Sequence, residues 1–169
     1  MGAYNVLGST GGAFTLAADL PGISAYALYS PANNKDIRIK WRMAFYSTFD
    51  RNGVGMCITP ANIHTDQTDI TNGEIRFIRN GATLYAQNAN GTTATSTNVT
   101  GSLTLTNYNT YEIVFNPGTN ILFYINGSLV ATHTTNLPTT GSLVFAFGAD
   151  YNGSTRSIYT QPIHLSIEN

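Results

Sequence analysis

YEIVFNPGTNILFYINGSLVATH, residues 111–133, decides the fold class of this 169-residue chain. Apolar residues alternate along its first five positions, which is the period of a half-buried β-strand. Residues 116–119 interrupt the run, and residues 121–125 resume it. Asn126-Gly127 then predicts a tight hairpin, because a type I′ turn needs positive φ at both central residues. The segment therefore predicts three consecutive antiparallel strands.

The rest of the chain repeats this pattern of short strands separated by turn residues. No segment of eleven or more residues has helical periodicity, so we expect an all-β domain of ten to twelve strands. The longest predicted strand, residues 37–47, alternates apolar positions with Arg38, Lys40 and Arg42, which places these cations on one face. Asn80-Gly81 predicts a second hairpin turn, and residues 50–53 another turn. The remaining strands are predicted at residues 13–16, 25–29, 53–59, 75–78, 83–87, 94–99 (a weak edge strand), 102–105, 142–148 and 157–167.

Composition bounds the class of protein before any motif is considered. The length suits one β-sandwich domain over residues 1–169. Charged residues make up only 10% of the chain and the net charge is -1, which gives no field to attract nucleic acid or an anionic membrane. The start of the sequence lacks the features of a signal peptide. Low charge with Asn- and Thr-rich loops nevertheless suits an extracellular or particle-surface protein.

The single cysteine and the single tryptophan both predict core positions rather than chemistry. Cys57 lies in a short apolar strand and has no second cysteine for a disulfide, so we expect a buried, inert thiol. Trp41 falls on the apolar face of the longest strand, where a core position is more common than a sugar-stacking platform. Neither residue indicates a catalytic or binding site.

Several stretches resemble the concanavalin A-like lectin/glucanase superfamily. Tyr111-x-Ile-x-Phe followed by Ile121-x-Phe-Tyr-Ile-Asn-Gly-Ser-Leu-Val-Ala-Thr-His is similar to a late hairpin of that superfamily. Leu137-Pro138, the strand LVFAFG at residues 143–148 and EIRF at residues 74–77 extend the likeness. The resemblance implies a jelly roll of two antiparallel sheets. Its members include lectins, glycan hydrolases and lyases, laminin-G modules and phage fibre or capsid-surface domains, so the fold does not choose a function.

Catalytic motifs are missing from the sequence. Hydrolases of the resembled superfamily carry Glu-x-Asp-x-x-Glu on one strand, and this chain has no such motif. His64, His133 and His164 are far apart in the sequence and accompany no Gly-x-Ser-x-Gly elbow. We therefore expect no catalytic residues and no enzyme activity.

The densest acidic cluster is HTDQTD, residues 64–69, with Glu74 five positions further on. Turn polarity explains this cluster, because Asp and Thr favour loops. Calcium is the alternative, since it takes six to eight oxygen ligands and Asp66, Asp69 and nearby carbonyls could supply some. The spacing matches no EF-hand or lectin metal signature, so we predict no metal site and no cofactor.

Two places are candidates for ligand binding. Tyr151 lies in a polar stretch with Asp150, Asn152 and Arg156, and its phenol would offer a rigid amphipathic surface to a sugar; a simple turn residue is the alternative. The second place is the basic stripe of the longest strand. A solvated face paired with acids such as Glu112 is one interpretation of the stripe, and a contact patch for an acidic partner or an anionic glycan is the other.

The sequence thus favours a non-catalytic virion-surface or extracellular domain, acting in capsid decoration or as part of a fibre or spike. Its expected partners are a glycan or host-surface receptor, other virion proteins and further copies of itself, and neither nucleic acid nor membrane. A carbohydrate-binding module of a secreted bacterial protein is the first alternative. A glycan hydrolase or lyase with an unrecognised site is the second.

Overall fold

The computed structural model describes residues 4–8, 12–15, 30–44, 51–58, 73–150, 156–160 and 164–167. Within these ranges no helix is long and apolar enough to cross a membrane. Most of the described residues are in strands, which are joined by turns and by two short 3-10 segments at Pro31–Asn33 and Thr100–Ser102. The strands are β1 (Tyr4–Gly8), β2 (Gly12–Thr15), β3 (Ile37–Met43), β4 (Arg51–Cys57), β5 (Gly73–Asn80), β6 (Thr83–Asn90), β7 (Ala94–Asn98), β8 (Asn109–Asn116), β9 (Asn120–Ile125), β10 (Ser128–His133), β11 (Val144–Asp150), β12 (Arg156–Thr160) and β13 (His164–Ile167).

These strands form two antiparallel sheets. Sheet A has the order β1-β12-β3-β8-β9-β10, with β13 also paired to β3. Sheet B has the order β2-β11-β4-β5-β6-β7. The predicted meander is β8-β9-β10, so it forms one side of sheet A. The predicted edge strand, β7, is the last strand of sheet B, as expected.

The core lies between the sheets because alternate residues of each strand point inward. Burial along β3 and β8 follows the predicted period of two, with every second residue buried. Phe77 of sheet B packs against three aromatic rings of sheet A, at ring-centroid distances of 6.0 Å from Trp41, 5.2 Å from Tyr111 and 5.3 Å from Phe123. The predicted core position of Trp41 is confirmed, since this residue is 2% exposed. This aromatic cluster holds the two sheets together.

The turn between β9 and β10 has the predicted geometry. Asn126 and Gly127 have φ of 51° and 82°, which fits a type I′ turn. The Asn126 side chain also fastens the turn to its neighbour: its Oδ1 accepts a bond from the Thr110 N–H at 2.9 Å, and its Nδ2 donates to Asn109 Oδ1 at 2.9 Å. The turn is thus held to the start of β8.

The β5-β6 turn and the predicted turn at residues 50–53 differ from expectation. Asn80 pairs with Thr83, so the loop is Gly81-Ala82, one residue later than predicted. Only Gly81 has positive φ there, at 57°, as in a type II′ turn, which needs positive φ at its first central residue alone. β4 already begins at Arg51, because its partners β5 and β11 extend the ladder to that residue.

Three predicted strands also need correction. Residues 102–105 form no strand. A 3-10 turn begins at Thr100, and the hydrogen bond that Thr100 Oγ1 accepts from the Leu84 N–H at 2.8 Å holds this segment against β6. The predicted strand 157–167 is two strands, β12 and β13, because β12 pairs mainly with β1 whereas β13 pairs with β3. The predicted strand 37–47 ends at Met43, and residues 25–29 and 45–50 lie outside the described ranges.

Candidate functional site

The basic stripe lies on the outer face of sheet A, as predicted. Arg38, Lys40 and Arg42 alternate with buried residues along β3 and are exposed. Glu112 stands opposite Lys40 on β8, with its carboxylate 3.0 Å from Arg38 Nε and 3.7 Å from Lys40 Nζ. About half of each basic side chain is exposed, at 51% and 52%, against 13% for Glu112. The predicted pairing with Glu112 is therefore confirmed, and it leaves the cations facing solvent.

Aromatic and apolar side chains border the stripe on the same face. The guanidinium of Arg42 lies 5.5 Å from the centre of the Tyr108 ring, which is 39% exposed. Tyr124 follows Glu112 across the sheet, and Leu129 follows Tyr124. Tyr124 is half-buried, whereas Leu129 is 53% exposed. The outer face of sheet A therefore presents charge at β3 and apolar surface at β9 and β10.

The Tyr151 candidate site falls largely outside the described part of the chain. Tyr151 and Asn152 are not in the described ranges, and of Asp150 and Arg156 only the strand positions are described. Asp150 ends β11 opposite Arg51, and Arg156 begins β12 opposite Gly8. The role of these four residues in ligand binding remains a prediction. The loop between them connects sheet B to sheet A.

The outer face of sheet B carries a charged row that the sequence analysis did not recognise. Arg76 and Gln87 are directly opposite each other on β5 and β6, and Glu74 is two positions from Arg76. Arg76 Nη2 lies 2.9 Å from Glu74 Oε1 and 3.1 Å from Gln87 Oε1, and Arg76 Nε donates to Gln87 Oε1 at 3.3 Å. All three residues are at most 1% exposed. Alternation alone predicts a solvated face here, whereas β5 is buried on both faces.

Gly55 makes room for this row. It lies opposite Arg76 on β4 with φ of 156°. A Cβ at this position would meet the backbone, 2.1 Å from Ile75 O and 2.6 Å from Arg76 Cα. Only glycine fits such a close approach. The sequence contains the signal as Gly-Val-Gly at residues 53–55, but its meaning requires the register.

Cys57 is buried beside the row, as predicted, at 1% exposed. Burial raises the pKa of its thiol to about 12, and the nearby carboxylate of Glu74 raises it further than the Arg76 guanidinium lowers it. The thiolate is the reactive form of cysteine. A thiol of this pKa is inert at neutral pH.

The acidic cluster at residues 64–69 lies outside the described ranges, so its calcium alternative stays a prediction. Glu74, the nearby acid, is described, and its carboxylate is committed to Arg76. Among the described residues no group of three or more His, Cys, Asp and Glu side chains could hold a metal ion.

A polar network joins the two sheets at their last strands, β7 and β10. Asn88 Nδ2 donates to the carbonyls of Thr135 and Asn136, at 3.0 and 2.7 Å. Its Oδ1 must therefore accept the 2.6 Å bond from His133 Nδ1. This assignment makes His133 Nε2 the acceptor for the Thr97 hydroxyl at 2.9 Å. Both ring nitrogens are thus satisfied in the neutral state, and burial lowers the pKa of His133 below its ordinary value.

The surroundings of His133 are those of a buried structural residue. Its ring lies 5.0 Å from that of Phe123, and both ring nitrogens bond to an uncharged amide or hydroxyl. Neither bond supplies a carboxylate that would orient a catalytic base. The network could not be found from sequence, because its residues lie on three separate segments of the chain.

No protein-family model matches the sequence, and no curated protein matches it. Solved structures do. A native glycosidic hydrolase is 16% identical, with 76% of this chain and 62% of that chain covered and a TM-score of 0.53. The galectin LEC-6 of Caenorhabditis elegans is 13% identical, over 96% of this chain and 95% of its own, with a TM-score of 0.52. Carbohydrate binding module CBM66 from Bacillus subtilis is 8% identical, over 78% of this chain and 74% of its own, with a TM-score of 0.51.

The chain has a concanavalin A-like jelly-roll fold. The predicted fold class is confirmed. The jelly roll spans less than two thirds of the hydrolase, at 62% of its length, and almost all of the galectin. Since one of these three proteins is a hydrolase and another a binding module, the fold leaves the activity open.

Proposed function

We propose that this jelly roll is a non-catalytic glycan-binding domain on the surface of a virus particle or outside the cell. Proteins with the same fold support a carbohydrate ligand, since they include a galectin and a carbohydrate binding module. The low charge and the Asn- and Thr-rich loops support the location. A carbohydrate-binding module of a secreted bacterial protein is the alternative setting for the same activity.

The separation of Glu74 from the other acid in the described strands of sheet B is the observation that carries the non-catalytic part of the proposal. Glycoside hydrolysis uses two carboxyl groups about 5 to 10 Å apart. Among the described strands of sheet B, only β5 and β11 contain acids, Glu74 and Asp150. Val144 stands opposite Cys57 and Cys57 opposite Glu74, so Asp150 is six residues further along, about 20 Å at 3.3 Å per residue.

Glu74 is also unsuited to acid or nucleophile chemistry in its own right. A general acid of this kind needs a raised pKa, which an apolar pocket supplies. Glu74 instead faces the guanidinium of Arg76 at 2.9 Å, with both side chains almost completely buried. This contact directs the carboxylate oxygen at the arginine rather than at a substrate.

The candidate ligand contacts are the loop that begins at Asp150 and ends at Arg156, with Tyr151 as the stacking residue, and the outer face of sheet A. An aromatic ring in such a loop gives contact area at low conformational cost. We expect no cofactor or metal; binding that disappears with EDTA and returns with calcium would contradict this part of the proposal.

A glycan array on the purified chain tests the function. We expect reproducible binding to a subset of glycans and a loss of at least tenfold in affinity for Tyr151→Ala. Tyr151→Phe is the matched control, because it keeps the ring and removes only the hydroxyl. No binding to any glycan would reject the proposal and would favour a purely structural role in the particle.

Polysaccharide turnover tests the absence of catalysis separately. We expect no release of reducing ends or unsaturated products from neutral or acidic polysaccharides. Turnover that Glu74→Gln abolishes while the folded structure is retained would restore the hydrolase or lyase alternative.

Self-association belongs to the same proposal. The described part of β10 carries no Lys, Asp, Glu or Pro that would discourage pairing of its edge, and Leu129 is 53% exposed there. We expect a symmetric homo-oligomer. Sedimentation velocity tests this: a monomer at all concentrations would contradict it, and Leu129→Lys should weaken an oligomer built on this edge.

A further inference from the structure

We infer that the outer face of sheet A binds an anionic glycan, a polysaccharide that carries carboxylate or sulfate groups. This inference rests on the proposed glycan-binding function and names its ligand class and its surface. The surface is defined by Arg38, Lys40 and Arg42 on β3, with Tyr108 and Tyr124 beside them. None of these residues belongs to the Tyr151 loop.

The charge balance of the surface is the first argument. The whole chain has a net charge of -1, so it has no general attraction for anions. On this face, however, Arg38 and Lys40 share the single carboxylate of Glu112. These two cations exceed their shared carboxylate by one positive charge, and Arg42 is a third exposed cation on the same strand face. An excess of exposed positive charge attracts anions to a surface.

The geometry of the charges is the second argument. Alternate residues of a strand are ~6.7 Å apart, so the three cations form a line of about 13 Å along β3. Glu112 contacts Arg38 and Lys40 together, which fixes the position of both without removing them from solvent. A linear polymer with repeated anionic groups can contact such a line at several points, whereas a single small anion can contact only part of it.

The pairing of β3 favours a glycan over an acidic peptide. Peptides commonly bind sheets by adding a strand to a free edge, where the main chain supplies much of the affinity. β3 has no free edge of this kind, because β8 pairs with one side of it and β12 and β13 pair with the other. A ligand on this face can use side-chain contacts alone.

The bordering tyrosines supply what a sugar ring requires. Tyr108 is 39% exposed beside Arg42, and Tyr124 is half-buried next to Glu112. Aromatic rings with an apolar body and a polar hydroxyl suit surfaces that are partly wet. Charge at the centre and aromatic rings at the border thus match a polymer that is anionic and carbohydrate.

Binding to immobilised polysaccharides tests the inference. The probes are alginate and polygalacturonate for carboxylates, dextran sulfate for sulfates and dextran as the neutral reference. We expect binding to at least one anionic polysaccharide and none to dextran, with strong weakening near 1 M salt, where the Debye length is ~3 Å. Each of Arg38→Gln, Lys40→Gln and Arg42→Gln should weaken binding about threefold, as for an exposed charge pair. The triple variant should weaken it about 30-fold.

Two variants separate this surface from general electrostatics. Lys35→Gln removes an exposed positive charge outside β3 and should leave affinity within about twofold. Glu112→Gln removes the opposing carboxylate and should strengthen binding about threefold. Equal losses for Lys35→Gln and Lys40→Gln, or weaker binding by Glu112→Gln, would overturn the assignment of the surface.

The remaining outcomes are equally informative. Binding to neutral glycans that the triple variant retains would overturn the anionic inference and leave the proposed function standing. Binding to no polysaccharide and no array glycan would reject the proposed function itself. Equal affinity for poly-glutamate or a DNA duplex would show a general anion surface and overturn the assignment to glycans.

Discussion

Asn88→Leu should strongly destabilise the protein, although Asn88 belongs to neither candidate binding surface. The change is nearly isosteric, so it isolates the polar atoms. It removes three hydrogen bonds: one from His133 Nδ1 at 2.6 Å and two to the carbonyls of Thr135 and Asn136, at 3.0 and 2.7 Å. Asn88 is 0% exposed and His133 only 3%, so water cannot replace all of these bonds.

The magnitude follows from the number of bonds and from what is left behind. A typical intramolecular hydrogen bond contributes ~1 kcal/mol net, and a buried group left unsatisfied costs about 1 to 3 kcal/mol. Losing three bonds and leaving the His133 N–H unsatisfied therefore predicts a loss of about 3 to 5 kcal/mol in the free energy of unfolding. That loss is a large part of the ~5 to 15 kcal/mol expected for a domain.

Urea denaturation at neutral pH, followed by tryptophan fluorescence, measures this loss, because Trp41 reports on the core. Asn98→Leu is the matched control. Asn98 is an exposed asparagine of β7 whose Oδ1 accepts one bond, from the Thr100 N–H at 3.0 Å, so its loss should stay below about 1 kcal/mol. A loss below about 1 kcal/mol for Asn88→Leu with an unchanged m-value would refute the role given to the network.

Other predictions test the network, the core and the row on sheet B. Burial lowers the pKa of His133, so its imidazole binds a proton more tightly in the unfolded chain than in the folded protein. The free energy of unfolding should therefore be highest above pH ~6.5 and fall as the pH drops below that value. Urea titrations of His133→Gln should lack this part of the pH dependence. Gly55→Ala should destabilise by about 3 kcal/mol or more, since its Cβ would meet the backbone of β5; a Tm within about 2 °C of wild type would contradict the close approach. Phe77→Ala should cost about 3 to 5 kcal/mol through the cavity it leaves between the sheets, and a calorimetric loss below about 1 kcal/mol would mean that the aromatic cluster is not shared between them. Cys57, with its pKa raised to about 12, should resist alkylation by iodoacetamide at pH 8 until urea unfolds the chain, and rapid labelling of the native protein would be the contrary result.

The fold was predictable because the strands carry their periodicity locally. The alternation along β3 and β8 and the Asn126-Gly127 turn each depend on neighbours in the sequence, and together they indicate antiparallel sheets. Boundaries were less predictable where a side chain far away decides them. Thr100 fastens to the backbone of Leu84, sixteen residues earlier, and no local pattern reveals that bond.

The candidate surfaces were predictable to different degrees. The exposed cations of β3 and their pairing with Glu112 followed from alternation and cross-strand pairing. The burial of Glu74, Arg76 and Gln87 did not, because alternation says which residues share a face and not whether that face meets water. The Tyr151 loop stays a prediction from its sequence alone.

The turn at Asn126-Gly127 has a consequence for the chemical ageing of the protein. An asparagine followed by glycine is prone to deamidation, because the unhindered glycine nitrogen can attack the side-chain amide. Here Nδ2 donates to Asn109 Oδ1 and Oδ1 accepts from Thr110, so the amide must break two bonds before it reacts. We expect peptide mapping after prolonged incubation to find Asn126 intact while it is folded and deamidated once it is unfolded. Comparable conversion in both states would mean that the turn does not protect it, and each event would add one negative charge to the chain.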